Sequence, residues 1–172
     1  MIENFLIGAL GSLIASAIFL LLLHRYRPKL ILSSKIAKTS YDGKIVYAFK
    51  VINSGKRDVI GIRGELLLIE PHVVKGGIGK NILQFDLVRD QWFYLPPVKT
   101  VSNDIIASYE FITFDELEEE WSQKKNSYLQ FRIYAQDAFS GFSKVFSQTY
   151  YSSDNTIQNG RFAIKESMEI CD

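Results

Sequence analysis

The chain has 172 residues, with 20 lysines and arginines against 19 aspartates and glutamates, and a formal net charge of +1. This balance gives no signal of a nucleic-acid-binding domain, because such domains carry a clear excess of basic residues. The single cysteine, Cys171, excludes an internal disulfide, and one cysteine with two histidines is too few for a four-ligand zinc site without carboxylates.

The sequence also predicts no enzymatic activity. The two histidines, His24 and His72, lie at the end of an apolar segment and in a glycine-rich stretch, and no nucleophile and base are paired by a known motif. We therefore predict no catalytic residues, no metal and no cofactor.

The first predicted element is the segment Phe5–Leu23, nineteen residues without an ionisable side chain. A helix of this length matches the ~30 Å hydrocarbon layer of a bilayer. We therefore predict a transmembrane anchor over residues 1–27, followed by one domain over residues 28–172. A buried helix and a cleavable signal peptide are the alternatives, but Met1–Asn4 lacks the basic residues that begin a signal peptide.

Basic residues follow the apolar segment directly. Positive charge beside a span favours the cytoplasmic side, so we predict a single-pass cell-membrane protein with its N-terminus outside and its C-terminal domain cytoplasmic. Arg25, Arg27 and Lys29 are predicted to contact anionic lipid headgroups, each gaining about 1 kcal/mol. The alternative is that these residues only set the topology.

Small residues form one stripe on the predicted helix. Gly8, Ser12 and Ser16 recur every four residues, with Gly11 and Ala15 beside them. Such a stripe allows close helix packing and hydrogen bonds between hydroxyls. We predict helix packing or pore lining in a homo-oligomer, the alternative being a lipid-facing helix with incidental small residues.

Two β-prone runs, Ile31–Thr39 and Lys44–Ile52, are separated by Tyr41–Gly43. Asp-Gly in this position is typical of a hairpin turn. Apolar residues occupy both faces of the second run, and Asn53–Lys56 then predicts another turn.

A long strand is predicted over Val59–Glu70, in which Gly61 and Gly64 indicate a bulge or a close backbone approach. Pro71 is predicted to end this strand. The glycine-rich stretch 72–80 has no Ser or Thr after Lys80 and does not open a helix, so it is predicted to be a flexible hairpin loop rather than a phosphate-binding loop.

Five further strands complete the predicted domain. They cover Ile82–Val88, Asp104–Ile112, Tyr128–Gln136, Ser143–Ser152 and Arg161–Glu169. Thr113–Glu116 has the pattern of a capping box, which predicts one acidic helix to about Gln123. Its carboxylates are interpreted as a solvated face rather than a cation site.

The predicted fold class is mainly β: a single transmembrane helix followed by an immunoglobulin-like β-sandwich with one short helix. A small closed barrel is the second possibility.

The order of these features resembles the inner helix and cytoplasmic domain of inward-rectifier potassium channels. The first matching segment is residues 19–70, FLLLLHRYRPKLILSSKIAKTSYDGKIVYAFKVINSGKRDVIGIRGELLLIE, with its Arg-Pro-Lys element. The second is residues 134–163, YAQDAFSGFSKVFSQTYYSSDNTIQNGRFA. The resemblance implies a homotetramer with the helix beside an axial pathway, and headgroup binding by Arg27 and Lys29. However, the sequence lacks the outer helix, the pore helix and the Thr-Val-Gly-Tyr-Gly filter, so selective potassium conduction by this chain alone is not expected.

Three functional hypotheses follow. The first is a homo-oligomeric, tetrameric sensor or effector that gates or perturbs membrane ion permeability after binding an unknown ligand or protein partner. The alternatives are a non-conducting, membrane-tethered binding module and an accessory subunit of a separate channel. The layout also resembles the membrane effectors of bacterial anti-phage systems, which is an analogy of fold alone.

Overall fold

The computed structural model describes residues 2–98 and 107–171, and the side chains of residues 7–22 within the first helix. The helices are α1 (Ile2–His24), α2 (Leu117–Gln123) and α3 (Ser153–Thr156). The strands are β1 (Leu30–Leu32), β2 (Ile36–Tyr41), β3 (Lys44–Asn53), β4 (Val59–Val74), β5 (Gly77–Phe85), β6 (Gln91–Leu95), β7 (Ser108–Thr113), β8 (Tyr128–Asp137), β9 (Ser143–Tyr150), β10 (Ile157–Asn159), β11 (Arg161–Phe162) and β12 (Ile170–Cys171). Residues 104–106 of one predicted strand lie outside the described residues.

The predicted membrane localisation is wrong. Among the residues described here, no helix is both long enough and apolar enough to cross a bilayer. The described side chains of α1 run from Ile7 to Leu22. All of these side chains are exposed.

The remaining elements form two main sheets. In the first, β3 is central and pairs with β1 and β2 along one edge and with β7 along the other, while β10 adds to β2 in parallel. In the second, the order is β5-β4-β8-β9, with β6 also paired to β4. A small ribbon of β11 and β12 lies beyond them.

The hydrophobic core lies between the two sheets. Phe49 of β3 and Phe111 of β7 contribute from the first sheet, and Leu66 of β4 and Phe131 of β8 contribute from the second. The rings of Phe49 and Phe111 both lie within 6 Å of the Phe131 ring, with centroid distances of 5.0 and 5.6 Å. Two sheets that bury one shared apolar layer are a sandwich, so the prediction of a mainly β, sandwich-like fold is confirmed.

The bulge predicted in β4 is confirmed as well. The register between β4 and β8 shifts between Ile60 and Arg63, and Gly61 has a φ of +59°. Gly64 has a different role, because a Cβ there would lie 2.8 Å from the Phe111 ring. The absence of a side chain at residue 64 lets β7 and its aromatic core residue approach β4.

Three local predictions were wrong. Pro71 does not end β4, which continues to Val74 and turns tightly into β5, so the stretch 72–80 is mostly strand. Pro71 pairs with β5 only, because the pairing of β4 with β8 ends at Ile69. The missing N–H of Pro71 therefore removes no hydrogen bond between β4 and β8. The Thr113 side chain accepts a hydrogen bond from the Asp115 amide and not from the Glu116 amide, as a capping box would require. The helix α2 begins only at Leu117.

The region predicted as a strand over Arg161–Glu169 is also different. Its ends form the two-residue strands β11 and β12, which pair with each other. We call residues 160–171, which follow β10 and include β11 and β12, the C-terminal strap, because Phe162 packs against Ala37 and Ala48 on the outer face of the first sheet.

Gly64→Ala tests the close approach between β4 and β7. We expect it to lower the free energy of unfolding by about 1–3 kcal/mol, because Phe111 and Leu87 would have to move. Gly77→Ala is the control, since a Cβ there has no neighbour within 4 Å. Urea unfolding followed by tryptophan fluorescence measures both, and equal stability of the two variants would contradict the packing described here.

Candidate functional site: a basic cleft at the helix junction

Basic residues from two parts of the chain meet where α1 ends. They surround a cleft of about 450 Å³ that we call the basic cleft, lined by Arg25, Tyr26, Arg27, Pro28, Lys29, Ser54, Gly55, Lys56, Arg57 and Asp137. Five of these ten residues are cations and only Asp137 is an acid. The structure therefore brings together the three predicted headgroup residues, Arg25, Arg27 and Lys29, and adds two cations to them.

Strand pairing explains why the two segments meet. Leu30 of β1 pairs with Asn53 at the end of β3, so the residues after Asn53 lie beside the residues before Leu30. Ser54 Oγ donates a hydrogen bond to the Lys29 carbonyl at 3.2 Å. As a result, the turn that carries Lys56 forms one wall of the cleft and the exit of α1 forms the other.

The turn itself is held by a fully buried asparagine. Asn53 Nδ2 donates hydrogen bonds to the carbonyls of Arg57 and Leu95 at 2.8 and 2.9 Å, and Asn53 Oδ1 accepts one from the Gly55 amide at 3.0 Å. A Cβ on Gly55 would lie 2.9 Å from Asn53 Oδ1. The Asn-Ser-Gly sequence thus fixes the backbone between β3 and β4 and places Lys56 and Arg57 at the cleft.

A cluster of five residues joins α1 to the sandwich, and we call it the junction cluster: Tyr26, Arg57, Asp137, Phe139 and Ser140. The Arg57 guanidinium lies 4.3 Å from the centre of the Tyr26 ring, and the Phe139 ring meets Tyr26 edge-on at 5.9 Å. Ser140 Oγ lies 2.9 Å from both the Tyr26 carbonyl and Asp137 Oδ1, so its one proton is shared between them. Side chains of the sandwich therefore hold the first residues after α1.

Asp137 organises this cluster. Its side chain is 3% exposed, Oδ2 accepts from Arg57 Nε at 2.9 Å, and Oδ1 accepts from the amides of Phe139 and Ser140 at 3.1 and 2.8 Å. Burial raises the pKa of Asp137, but the hydrogen bonds from Ser140 and the charge of Arg57 outweigh it, so the pKa lies below its ordinary value. The carboxylate is thus kept ionised and committed to Arg57.

The other cations of the cleft are available for a ligand. Of the five, only Arg57 forms an ion pair within the part of the chain that the structure describes. Arg25, Arg27, Lys29 and Lys56 are exposed. Arginine and lysine donors arranged around a concave surface are suited to binding phosphate or carboxylate oxygens.

Sequence reasoning missed Lys56, Arg57 and Asp137. The turn at Asn53–Lys56 was predicted, but nothing local in the sequence places it beside α1, because that contact depends on the pairing of β1 with β3. Asp137 is followed by Phe139, Ser140 and Gly141, a pattern typical of an Asx turn. This pattern indicates in the sequence that the Asp137 side chain accepts hydrogen bonds from the backbone amides after it.

The small-residue stripe lies apart from the basic cleft. Gly8, Gly11, Ser12, Ala15 and Ser16 are all exposed on α1, and a Cβ added at either glycine has no neighbour within 4 Å. Their predicted part in helix packing or pore lining stays a prediction, as do the effects on ion permeability and the anti-phage role.

Comparisons with known proteins give little further information. No protein-family model matches the sequence, and no curated protein matches it at a significant level. Among solved structures, the chain is similar to the sporulation control protein Spo0M from Bacillus subtilis, with 13% identity and a TM-score of 0.38. That alignment covers 73% of this chain and 48% of the Spo0M chain, so this chain spans about half of that protein. The resemblance to inward-rectifier channels stays a prediction.

Asp137→Asn tests the junction cluster. Removing the charge opposite Arg57 is expected to lower the free energy of unfolding by about 1–3 kcal/mol at pH 7. The pKa of Asp137 in the folded protein lies below its value of about 4 in the unfolded chain. The ionised carboxylate therefore stabilises the fold above pH 4, and this stabilisation is lost as the pH falls through the folded pKa. Urea unfolding between pH 3 and pH 7 measures it.

The matched control is Asp154→Asn, at an exposed acid on α3. We expect the free energy of unfolding of Asp154→Asn to vary with pH as it does in the wild type. In Asp137→Asn it is expected to vary less with pH below pH 5. An unchanged profile in Asp137→Asn would contradict the role assigned to this carboxylate.

Proposed function

We propose that this chain is a non-enzymatic, homo-oligomeric sensor module that binds a phosphate-bearing anion in the basic cleft. The observation that supports it is the composition of the cleft, in which five cations surround one carboxylate and that carboxylate is already paired. An anion in this cleft compensates the four positive charges that have no ion-pair partner among the described residues.

The chemistry of the cleft favours a phosphate group over a single carboxylate. Arginine binds phosphate oxygens through two parallel N–H donors, and lysine adds a compact charge. Because the cations come from two segments, a ligand with several oxygens can contact Arg27 on one wall and Lys56 on the other at the same time.

Such bridging connects ligand binding to α1. Arg25 and Arg27 lie at the helix exit, whereas Lys56 and Arg57 belong to the sandwich. A bound anion therefore holds the exit of α1 against the sandwich, in addition to the contacts of the junction cluster. The ligand is proposed to stabilise one orientation of α1 relative to the domain.

Homo-oligomerisation is proposed to occur through α1. Its described side chains are exposed, with Leu13 at 68% and Leu21 at 70%, and exposed apolar surface of this extent favours association at about 25 cal/mol per Å² buried. The stripe around Gly8 and Ser12 allows the backbones of two helices to approach closely.

The resemblance to inward-rectifier channels supports the same proposal. In that family an Arg-Pro-Lys element at the corresponding place contacts anionic headgroups and the cytoplasmic domain is an immunoglobulin-like tetramer. We extend this to Arg27, Pro28 and Lys29 and to an immunoglobulin-like topology for the sandwich. The source of the phosphate, a lipid headgroup or a free compound, is for the experiment to distinguish.

Arg27→Gln/Lys56→Gln removes one cation from each wall of the basic cleft. We expect the affinity for pyrophosphate, measured by isothermal titration calorimetry at low salt, to fall at least about tenfold, since a hydrogen bond to a charged group contributes about 1.5–3 kcal/mol. The control Lys75→Gln/Lys80→Gln removes the same charge from the β4–β5 hairpin and is expected to keep wild-type affinity. Equal losses in the two variants, or no saturable binding by the wild type, would contradict the proposal.

Flotation assays distinguish the two sources of phosphate. Vesicles of phosphatidylcholine with and without phosphatidic acid are compared with free pyrophosphate as a competitor. Binding to phosphatidic acid vesicles in competition with pyrophosphate assigns the site to headgroups, and binding of pyrophosphate without binding to the vesicles assigns it to free phosphates. In either case the Arg27→Gln/Lys56→Gln variant is expected to bind more weakly than the wild type.

Gly8→Leu/Ser12→Leu tests the association of α1. The added side chains meet open space in a single chain, so the fold is expected to persist while close helix packing is lost. Sedimentation velocity in a mild non-ionic detergent is expected to shift from an oligomer to a monomer. Leu10→Phe/Ala17→Leu, on the opposite face of α1, is the control, and a monomeric wild type would contradict the proposal.

A further inference from the structure

A smaller cavity shares a wall with the basic cleft. We call it the side hollow; its volume is about 220 Å³, and it is lined by Lys56, Arg57, Asp58, Pro97, Ala138 and Phe139. Lys56 and Arg57 line the basic cleft as well. A ligand bound at these two cations therefore lies beside both cavities.

Strand pairing places the residues of the side hollow together. Val59 of β4 pairs with Asp137 of β8, so the residue before β4 and the residues after β8 leave the sandwich side by side. The Ala138 amide donates a hydrogen bond to the Asp58 carbonyl at 3.0 Å. The fold itself therefore fixes the backbone of Asp58 beside that of Phe139.

The apolar part of the side hollow offers an exposed aromatic ring. Phe139 is 78% exposed, although its ring meets Tyr26 edge-on at 5.9 Å. Pro97 is buried and lies two residues after Leu95, which pairs with Val59 at the start of β4. Nucleobases stack on exposed aromatic side chains, and this stacking depends little on which base is present.

The polar part of the side hollow contains a carboxylate with accepting capacity to spare. Asp58 Oδ1 accepts a hydrogen bond from the Tyr94 hydroxyl at 3.1 Å. Arg57, next in sequence, is paired with Asp137 instead, and Asp58 forms no ion pair within residues 2–98 and 107–171. A carboxylate accepts hydrogen bonds from N–H and O–H groups and repels phosphate.

The charges of the two cavities thus orient a ligand that occupies both. Its phosphate lies in the basic cleft, and its hydrogen-bond donors lie in the side hollow near Asp58. An ammonium group is a poor occupant of the hollow, because Lys56 and Arg57 line it together with the single unpaired acid. A neutral ring that carries N–H donors satisfies Asp58 without this repulsion.

We propose that the basic cleft and the side hollow together bind a nucleoside phosphate. The phosphate contacts the cations of the cleft, the base stacks on Phe139, and an N–H group of the base donates to Asp58. This inference rests on the proposed anion binding and adds to it the class of compound. A phosphate without a base leaves the side hollow unused.

The base is tested with two probes that carry the same phosphate, adenosine monophosphate and ribose 5-phosphate. Isothermal titration calorimetry with the full chain at low salt measures both affinities. We expect adenosine monophosphate to bind at least about fivefold more tightly, because stacking of one base on an aromatic side chain contributes that much. Pyrophosphate, titrated in parallel, reports on the basic cleft alone.

Phe139→Leu keeps an apolar side chain beside Tyr26 but removes the ring, and Asp58→Asn removes the charge. We expect both variants to reduce the preference for adenosine monophosphate over ribose 5-phosphate several-fold, while saturable pyrophosphate binding persists. The control Phe114→Leu makes the same change at an exposed ring that lines neither cavity, and it is expected to keep the wild-type preference. Circular dichroism checks the folding of each variant.

Equal affinities of the wild type for adenosine monophosphate and ribose 5-phosphate overturn this inference, and saturable pyrophosphate binding in that case leaves the proposed function intact. A wild-type preference that persists in both folded variants also overturns it, because the base then binds elsewhere. Absence of pyrophosphate binding, or pyrophosphate binding that Arg27→Gln/Lys56→Gln does not weaken, overturns the proposed function and this inference together.

Discussion

The contact between Arg57 and Asp137 determines how the parts of this protein fit together. Asp137 ends β8 and Arg57 precedes β4, so their ion pair fixes two loops at one end of the sandwich. The guanidinium also lies over the Tyr26 ring, an arrangement worth roughly 0.5–2 kcal/mol. The position of the α1 exit, and hence of Arg25 and Arg27, depends on this pair.

The same pair leaves the basic cleft with an excess of positive charge, which is the basis of the proposed anion binding. A buried carboxylate left without a partner would be costly, and Arg57 satisfies it, so Asp137 neutralises one cation and no more. The remaining cations lie on both sides of the cleft. The cations of the cleft repel one another, and this region is held in place by neutral packing and by one ion pair. The proposed phosphate ligand would relieve that repulsion.

Charge is distributed unevenly over the molecule although the net charge is only +1. Cations concentrate where β3 ends, beside Asn53, and carboxylates concentrate where β3 begins, beside Lys44 and α2. The basic cleft and these carboxylates therefore lie at opposite ends of one central strand.

Local sequence patterns predicted most of the longer strands, the bulge at Gly61 and the turn after β3, because these depend on backbone geometry and on alternation of apolar residues. Contacts between residues distant in sequence could not be predicted from local patterns. Lys56 lies beside the α1 exit only because Leu30 pairs with Asn53, and Arg57 contacts Asp137, which is 80 positions away in the sequence. The apolar residues on both faces of β3 were recognised, but the sequence did not say that Phe162 would cover Ala48 on the outer face. The predicted membrane localisation, which rested on the apolar segment and the basic residues after it, was wrong, because no helix among the described residues is long and apolar enough to cross a bilayer.

Hydrogen exchange with and without pyrophosphate tests the central claim most directly, that one anion joins the exit of α1 to the sandwich. We predict that residues 25–29 and residues 54–57 gain protection together, at the same ligand concentration. Protection of one segment without the other, or of neither at saturating pyrophosphate, would contradict this account.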